Sequence, residues 1–232
     1  AKNGVFPARL WEKFLSSSGR QRDGKAFVRL VCLRIASYEP EQLILFLNSI
    51  TRWISSLNGD QFRQSHDSLI STISKVIQTM GAFPEDSGSS YVRSEREPDW
   101  MMESMNSPVG QIIESMFLEP DVIGAISEIP THWLSRVDLV LGLPGDLQRH
   151  ALVLLNKNLL WFYHHNPEWT ETALWSQLNS TDALTKNAAW AGLLWSNNFT
   201  NDRFYKRLKP LLMEVLNSNP VTGQKKRLAE ML

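Results

Sequence analysis

The chain has 232 residues, and its 24 Lys+Arg balance 24 Asp+Glu to a formal net charge of zero. That balance argues against nucleic-acid binding, which needs a surplus of Lys and Arg facing phosphates. A single cysteine, Cys32, excludes an internal disulfide and a thiolate zinc cluster and points to a reduced, cytoplasmic setting.

Hydrophobic residues make up 43% of the chain, enough for a substantial core. No apolar run approaches the roughly 18 residues that a membrane-crossing helix needs, so no membrane partner is expected. The first residues, Ala1 to Gly4, resemble neither a signal peptide nor a transit peptide, and the chain reads as a piece of a longer protein. Asn179-Ser180-Thr181 and Asn198-Phe199-Thr200 match a glycosylation pattern that arises readily by chance, and nothing else suggests secretion.

Strand signals are scarce, and apolar residues recur at three- and four-residue spacing, the mark of helices with one buried face. The first helix is expected over 7–17, with Leu10, Trp11, Phe14 and Leu15 inward and Gly19 as its stop. Asp23 caps a second helix over 24–37 that buries Phe27, Leu30, Val31, Ile35 and Cys32. Pro40 opens a third, with Leu43, Leu47, Ile50, Ile54 and Leu57 on its face and Phe46 and Trp53 beside it. Asp60 caps a fourth, striped by Phe62, Leu69, Ile73, Val76, Ile77 and Met80 and closed by Gly81.

The segment from 83 to 98 is rich in Asp, Ser, Gly and mixed charge and reads as a long flexible loop. Trp100, Met101, Met102 and Met105 follow. They either anchor the chain back on its core or form an exposed contact, and Trp100, Met101 and Met102 are the candidate partner-binding residues. The organisation is then a helical part over 1–82, a flexible polar loop over 83–104 and a helical-repeat part over 105–232, together expected to form one continuous helical domain.

Further helices are expected over 108–117, 122–129 and from Pro130, which places Trp133, Leu134, Val137, Val140 and Leu141. The most apolar segment, 147–162, reads as one buried helix ended by Asn166-Pro167. A short helix with Trp169, Leu174, Trp175 and Leu178 follows, then one capped by Ser180 or Thr181 with Leu184, Ala188, Trp190, Leu193, Leu194 and Trp195. Asn201 or Asp202 caps a helix over 203–217 that Pro210 should kink, and a last short helix starts at Thr222.

Two helix pairs align at an offset of about 37 residues, Ala151 on Ala188, Leu174 on Leu211 and Leu178 on Val215, a longer helix preceding a shorter one in each. Two-helix repeats of about this period build solenoids. The fold class is therefore all-α, either a HEAT-like helix-pair array or an irregular multi-helix bundle. Six of the nine tryptophans lie between Trp133 and Trp195, where their rings are expected to fill gaps between helices.

Motifs for chemistry are absent. None of His66, His132, His150, His164 and His165 has a second histidine at the helical metal spacing, and there is no phosphate loop and no nucleophile elbow. Glu95 and Glu97 lie in the loop, and Cys32 reads as core rather than thiolate. Arg20, Arg22 and Lys25 around Asp23, and the triplet Lys225-Lys226-Arg227, read as solvated helix ends. No catalytic, cofactor-binding or metal-binding residue is assigned, and no cofactor is expected.

Residues 149–155 (Arg-His-Ala-Leu-Val-Leu-Leu), 166–169 (Asn-Pro-Glu-Trp) and 188–194 (Ala-Ala-Trp-Ala-Gly-Leu-Leu) carry a pattern of helix pairs and tryptophans over roughly 130–216. It resembles the C-terminal helical domain of sirtuin-like bacterial antiphage defence proteins. The resemblance implies a scaffold or sensor that recognises a foreign protein and controls an enzyme elsewhere in its chain. No sirtuin-type nucleotide site is visible, so no catalytic residue carries over. The expectation is a non-enzymatic protein-interaction or sensor domain. Its partners would be another protein, the rest of a parent chain, or a second copy; homo-oligomerisation and a helical enzyme are the rival readings.

Overall fold

The structure is a computed structural model that describes residues 6–17, 24–91, 98–123, 128–196 and 202–217. Among these residues every regular element is helical. The packing divides the chain into two compact units, Ala1–Ala151 and Leu152–Leu232. The expected loop at 83–104 thus falls inside the first unit.

The first unit begins with α1 (Ala8–Ser17) and α2 (Lys25–Ala36). Trp11 holds α1 in place: its ring stacks on Phe46 with centroids 5.7 Å apart, and its indole N–H donates to the Tyr38 hydroxyl at 3.1 Å. Only Leu15 of α1 is fully buried; Leu10 and Phe14, expected inward, are exposed because Trp11 and Leu15 take the inner side. A similar correction applies to α2. Val28, Val31, Cys32 and Ile35 are buried, and Leu30 faces out. Its N-cap is Gly24; Asp23 lies outside the described residues.

The third expected helix is three pieces: α3 (Pro40–Leu43), a 3-10 turn (Ile44–Phe46) and α4 (Leu47–Ser56). The turn carries Phe46 inward, where with Leu43, Leu47, Ile50, Trp53, Ile54 and Leu57 it forms much of the core. Each such side chain contributes about 1.5–3 kcal/mol by leaving water.

The fourth helix also splits, into α5 (Gly59–Gln64) and α6 (His66–Ala82) at Ser65. Asn58, not Asp60, is the cap, because its Oδ1 accepts from the Gln61 amide at 2.9 Å while Gln61 Oε1 accepts from the Asn58 amide. The expected stripe from Phe62 to Met80 is buried throughout. Gly81 does not end α6, which runs one residue further; a Cβ there would meet the side chain of Leu143 at ordinary van der Waals distance.

Residues 83–91 are tied down rather than free. Ser87 is buried and donates to the Phe83 carbonyl at 2.7 Å, Ser89 donates to the Glu103 carbonyl at 2.7 Å, and the Ser90 amide donates to the Asn106 carbonyl at 3.0 Å. The end of the expected loop is α7 (Trp100–Met105), capped by Asp99. Then come α8 (Pro108–Met116), with Pro108 at its first turn and Ser107 as cap, and a short α9 (Pro120–Ile123). Of the helix expected over 122–129, Val122 and Ile123 end α9, residues 124–127 lie outside the described residues, and 128–129 are not helical. α10 (Thr131–Leu141) buries Trp133, whose indole N–H donates to the Met116 carbonyl at 3.0 Å.

The apolar run 147–162 breaks at Asn158 into α11 (Asp146–Lys157) and α12 (Leu159–His165). Asn158 offers the reason: its side-chain amide donates to the Leu154 carbonyl, competing with the helix ladder.

In the second unit, α13 (Pro167–Ala173) is capped by Asn166, a 3-10 turn runs over Trp175–Asn179, and α14 (Ala183–Trp195) is capped by Asp182 rather than by Ser180 or Thr181. Trp190 donates to the Leu178 carbonyl at 3.0 Å. α15 (Asp202–Asn217) accommodates Pro210 within it. At 16 residues it is longer than the 13-residue α14, so the order of lengths in the expected repeat is reversed in its second pair. Gly19, Arg20, Arg22, Glu95, Glu97, Asn198–Thr200, Asn201, the Lys225–Arg227 triplet and the last helix from Thr222 lie outside the described residues.

Candidate functional site

Three places in the molecule gather groups that could act on something else. The first is a buried ionic cluster in the first unit. Glu119 follows α8, Arg136 comes from α10 and His66 opens α6. Arg136 Nη2 donates to Glu119 Oε2, and His66 Nε2 stands 3.7 Å from the same oxygen. Nearby in sequence, His132 faces Asp121 at 3.9 Å on the surface. Burial pushes the Glu119 carboxyl above its usual range, against the opposing pull of Arg136 and then His66. Glu119 is completely buried, so its carboxyl can tie three elements together but cannot meet a solvent-borne substrate.

His150 and Glu103, 3.5 Å apart, form a second buried contact, with the Trp100 ring edge-on to His150 at 6.1 Å. Among the described residues no group of three or more His, Cys, Asp or Glu could hold a metal ion. Burial pushes the Cys32 thiol up to about 11, opposed only by its polar contact with Thr72, which makes it a core side chain and a poor nucleophile.

The second place is in the other unit. Leu160, Tyr163, His164, Pro167 and Arg203 line an open cleft of about 150 Å³. That is well below the few hundred cubic ångströms of ordinary ligand sites. Around it, Tyr163, Trp175 and Phe204 pack edge to face, Arg207 lies over the Trp175 ring at 5.2 Å, and Arg207 pairs with Glu171 at 2.5 Å. The tryptophans act as packing, as the sequence suggested: among all nine, none is exposed.

The third place is the outward side of α1 and α2. Leu30 is 66% exposed and Leu33 64%, and with exposed Ala26 they recur at i, i+4 and i+7, opposite the buried Val28, Val31, Cys32 and Ile35. Exposed Leu10 and Phe14 on α1 extend the track, since the Phe14 ring meets Phe27 at 5.7 Å and Phe27 lies one turn before Leu30. Exposed cations rim it: Arg9 and Lys13 on α1, and Lys25, Arg29 and Arg34 on α2, against the single carboxylate Glu12 in the two helices. Among the described residues none of these five cations is in an ion pair. Sequence reading missed this face by assigning Leu10, Phe14 and Leu30 to the core. The available signal was the all-cationic charge of α2, which a helix buried on both sides would not carry.

The candidate contact residues separate. Trp100 is 5% exposed and anchors α7, so it cannot serve as a partner contact; Met101 is half-buried, and Met102 and Met105 are exposed. No helix among the described residues is long and apolar enough to cross a membrane. No family model matches the chain, and no curated protein or solved structure matches it either.

Proposed function

We propose that this chain is a non-enzymatic α-helical protein-interaction domain that works as the recognition or regulatory part of a larger, cytoplasmic bacterial defence protein. The observation that carries the interaction reading is the outward face of α1 and α2. Leucines that expose about two thirds of their surface beside exposed cations are unfavourable in water and favourable against a partner. Met102 and Met105 on α7 offer a second, adaptable contact, since methionine accommodates irregular partner surfaces. The defence setting is supported by the pattern of helix pairs and tryptophans over 130–216 and by its resemblance to helical domains of sirtuin-like antiphage proteins. The enzyme reading loses support because Glu119 is sealed from solvent and Cys32 is held protonated.

The test is a tagged pull-down from the native cells, with and without phage challenge, using the chain and its Leu30→Ser/Leu33→Ser variant. One protein captured in stoichiometric amount by the first and lost with the second supports docking through α2, and its appearance only on challenge supports a sensor. Equal capture by both sinks the docking reading.

A further inference from the structure

We propose that the partner seated on the α1–α2 face is an acidic amphipathic helix, a refinement that rests on the docking reading above. Charge and shape both favour such a helix. On α2 the stripe of Ala26, Leu30 and Leu33 lies between Arg29 and Arg34, which by helical spacing fall on its two flanks. Such a stripe accepts one apolar helix ridge, as helix-in-groove recognition does. Arg29 and Arg34, the latter with its Nε donating to the Tyr38 hydroxyl at 3.2 Å, then meet side chains that run along both edges of that ridge, and a guanidinium is matched by a carboxylate.

The two helices carry five cations against one carboxylate, a positive excess within a chain whose formal net charge is zero. A second copy of the chain would set these five cations against the same five, which disfavours self-association through the face. A lipid surface also accepts leucines and a phenylalanine set between cations, and the vesicle arm of the test separates it from a helix. A helix with Leu, Ile or Phe at i, i+3 or i+4, and i+7, flanked by Asp and Glu, satisfies both the stripe and its rim.

The test is selection of a peptide-display library on the immobilised 232-residue chain, followed by binding of the winning synthetic peptides to three proteins of verified thermal midpoint: the chain itself, Leu30→Ser/Leu33→Ser and Arg29→Glu/Arg34→Glu. The expected winners are acidic, carry apolar residues at helical spacing, lose binding to the serine variant, and bind the charge-reversed variant at least about tenfold more weakly. Winners that need Leu30 and Leu33 but are neutral or basic overturn the acidic partner while leaving the docking face standing. Absence of any winner that depends on those leucines overturns both. So does uptake of the chain by phosphatidylserine vesicles, or its self-association, lost with the serine variant in place of such a winner.

Discussion

Helices α2 and α14 are both apolar around much of their circumference, yet they end in opposite circumstances. In α14 the inward residues Ala188, Ala189, Trp190, Gly192, Leu193 and Leu194 are all buried. Its closest approach is at Gly192, where an added Cβ would lie 2.1 Å from the Val153 carbonyl oxygen. In α2 one side is equally sealed, against α6, and the other leaves Leu30 and Leu33 in water. Charge separates the two cases. α14 has one charged residue, Lys186, whereas α2 has three cations and no acid. The nearly uncharged α14 is core on its inward side, whereas the cationic α2 keeps an apolar stripe in water.

The sharpest way to press the comparison is at Gly192. Gly192→Ala has nowhere to put its methyl group, because the obstacle is backbone, and should cost about 3 kcal/mol or more. Urea unfolding would show it as a large fall in midpoint; a midpoint near that of the parent chain means the helices are not so close.

Next comes the buried pair of the first unit. Arg136→Met strands the Glu119 carboxylate and should cost about 3–5 kcal/mol, whereas Arg136→Met with Glu119→Met should cost clearly less. The pH dependence has a definite sign. The Glu119 carboxyl is raised above its usual 4.5, so the folded state holds the proton more tightly than the unfolded chain. Its contribution to stability is present below that value and is lost as pH rises through the folded pKa. Relative to the Glu119→Gln chain, the parent should therefore lose stability on going from pH 4.5 upward, and a slope of the opposite sign would contradict the assignment.

A smaller, chemical contrast uses Cys32. With its thiol raised to about 11, it should resist alkylation at pH 8 in the folded protein and take one equivalent of reagent in urea. Prompt labelling without urea would show that the inner side of α2 is open.

Much of the fold is legible in the sequence because it follows spacing alone. The stripe of Phe62, Leu69, Ile73, Val76, Ile77 and Met80 and the proline-led start of α8 are read correctly from period and position. The misses have local causes. Phe46, Ser65 and Asn158 interrupt helices that the apolar pattern runs straight through. Asn58 and Asp182 take caps assigned to neighbours one or two residues away, since a cap depends on which side chain reaches a free amide. The polar composition of 83–91 suggested freedom, but its serines find carbonyls at 103 and 106, a long-range match that composition cannot show. The candidate site was the least legible part. Deciding which apolar residues of α1 and α2 face out requires knowing that Trp11 stacks on Phe46 and fixes the orientation of α1.

The most direct measurement is urea unfolding of the Leu30→Ser/Leu33→Ser chain beside the parent. Exposed leucines contribute little to the isolated fold, so the midpoint should stay within the equivalent of about 0.5 kcal/mol per substitution. A loss of several kcal/mol, the size expected of core leucines, would place them inside the protein and remove the docking face from this account.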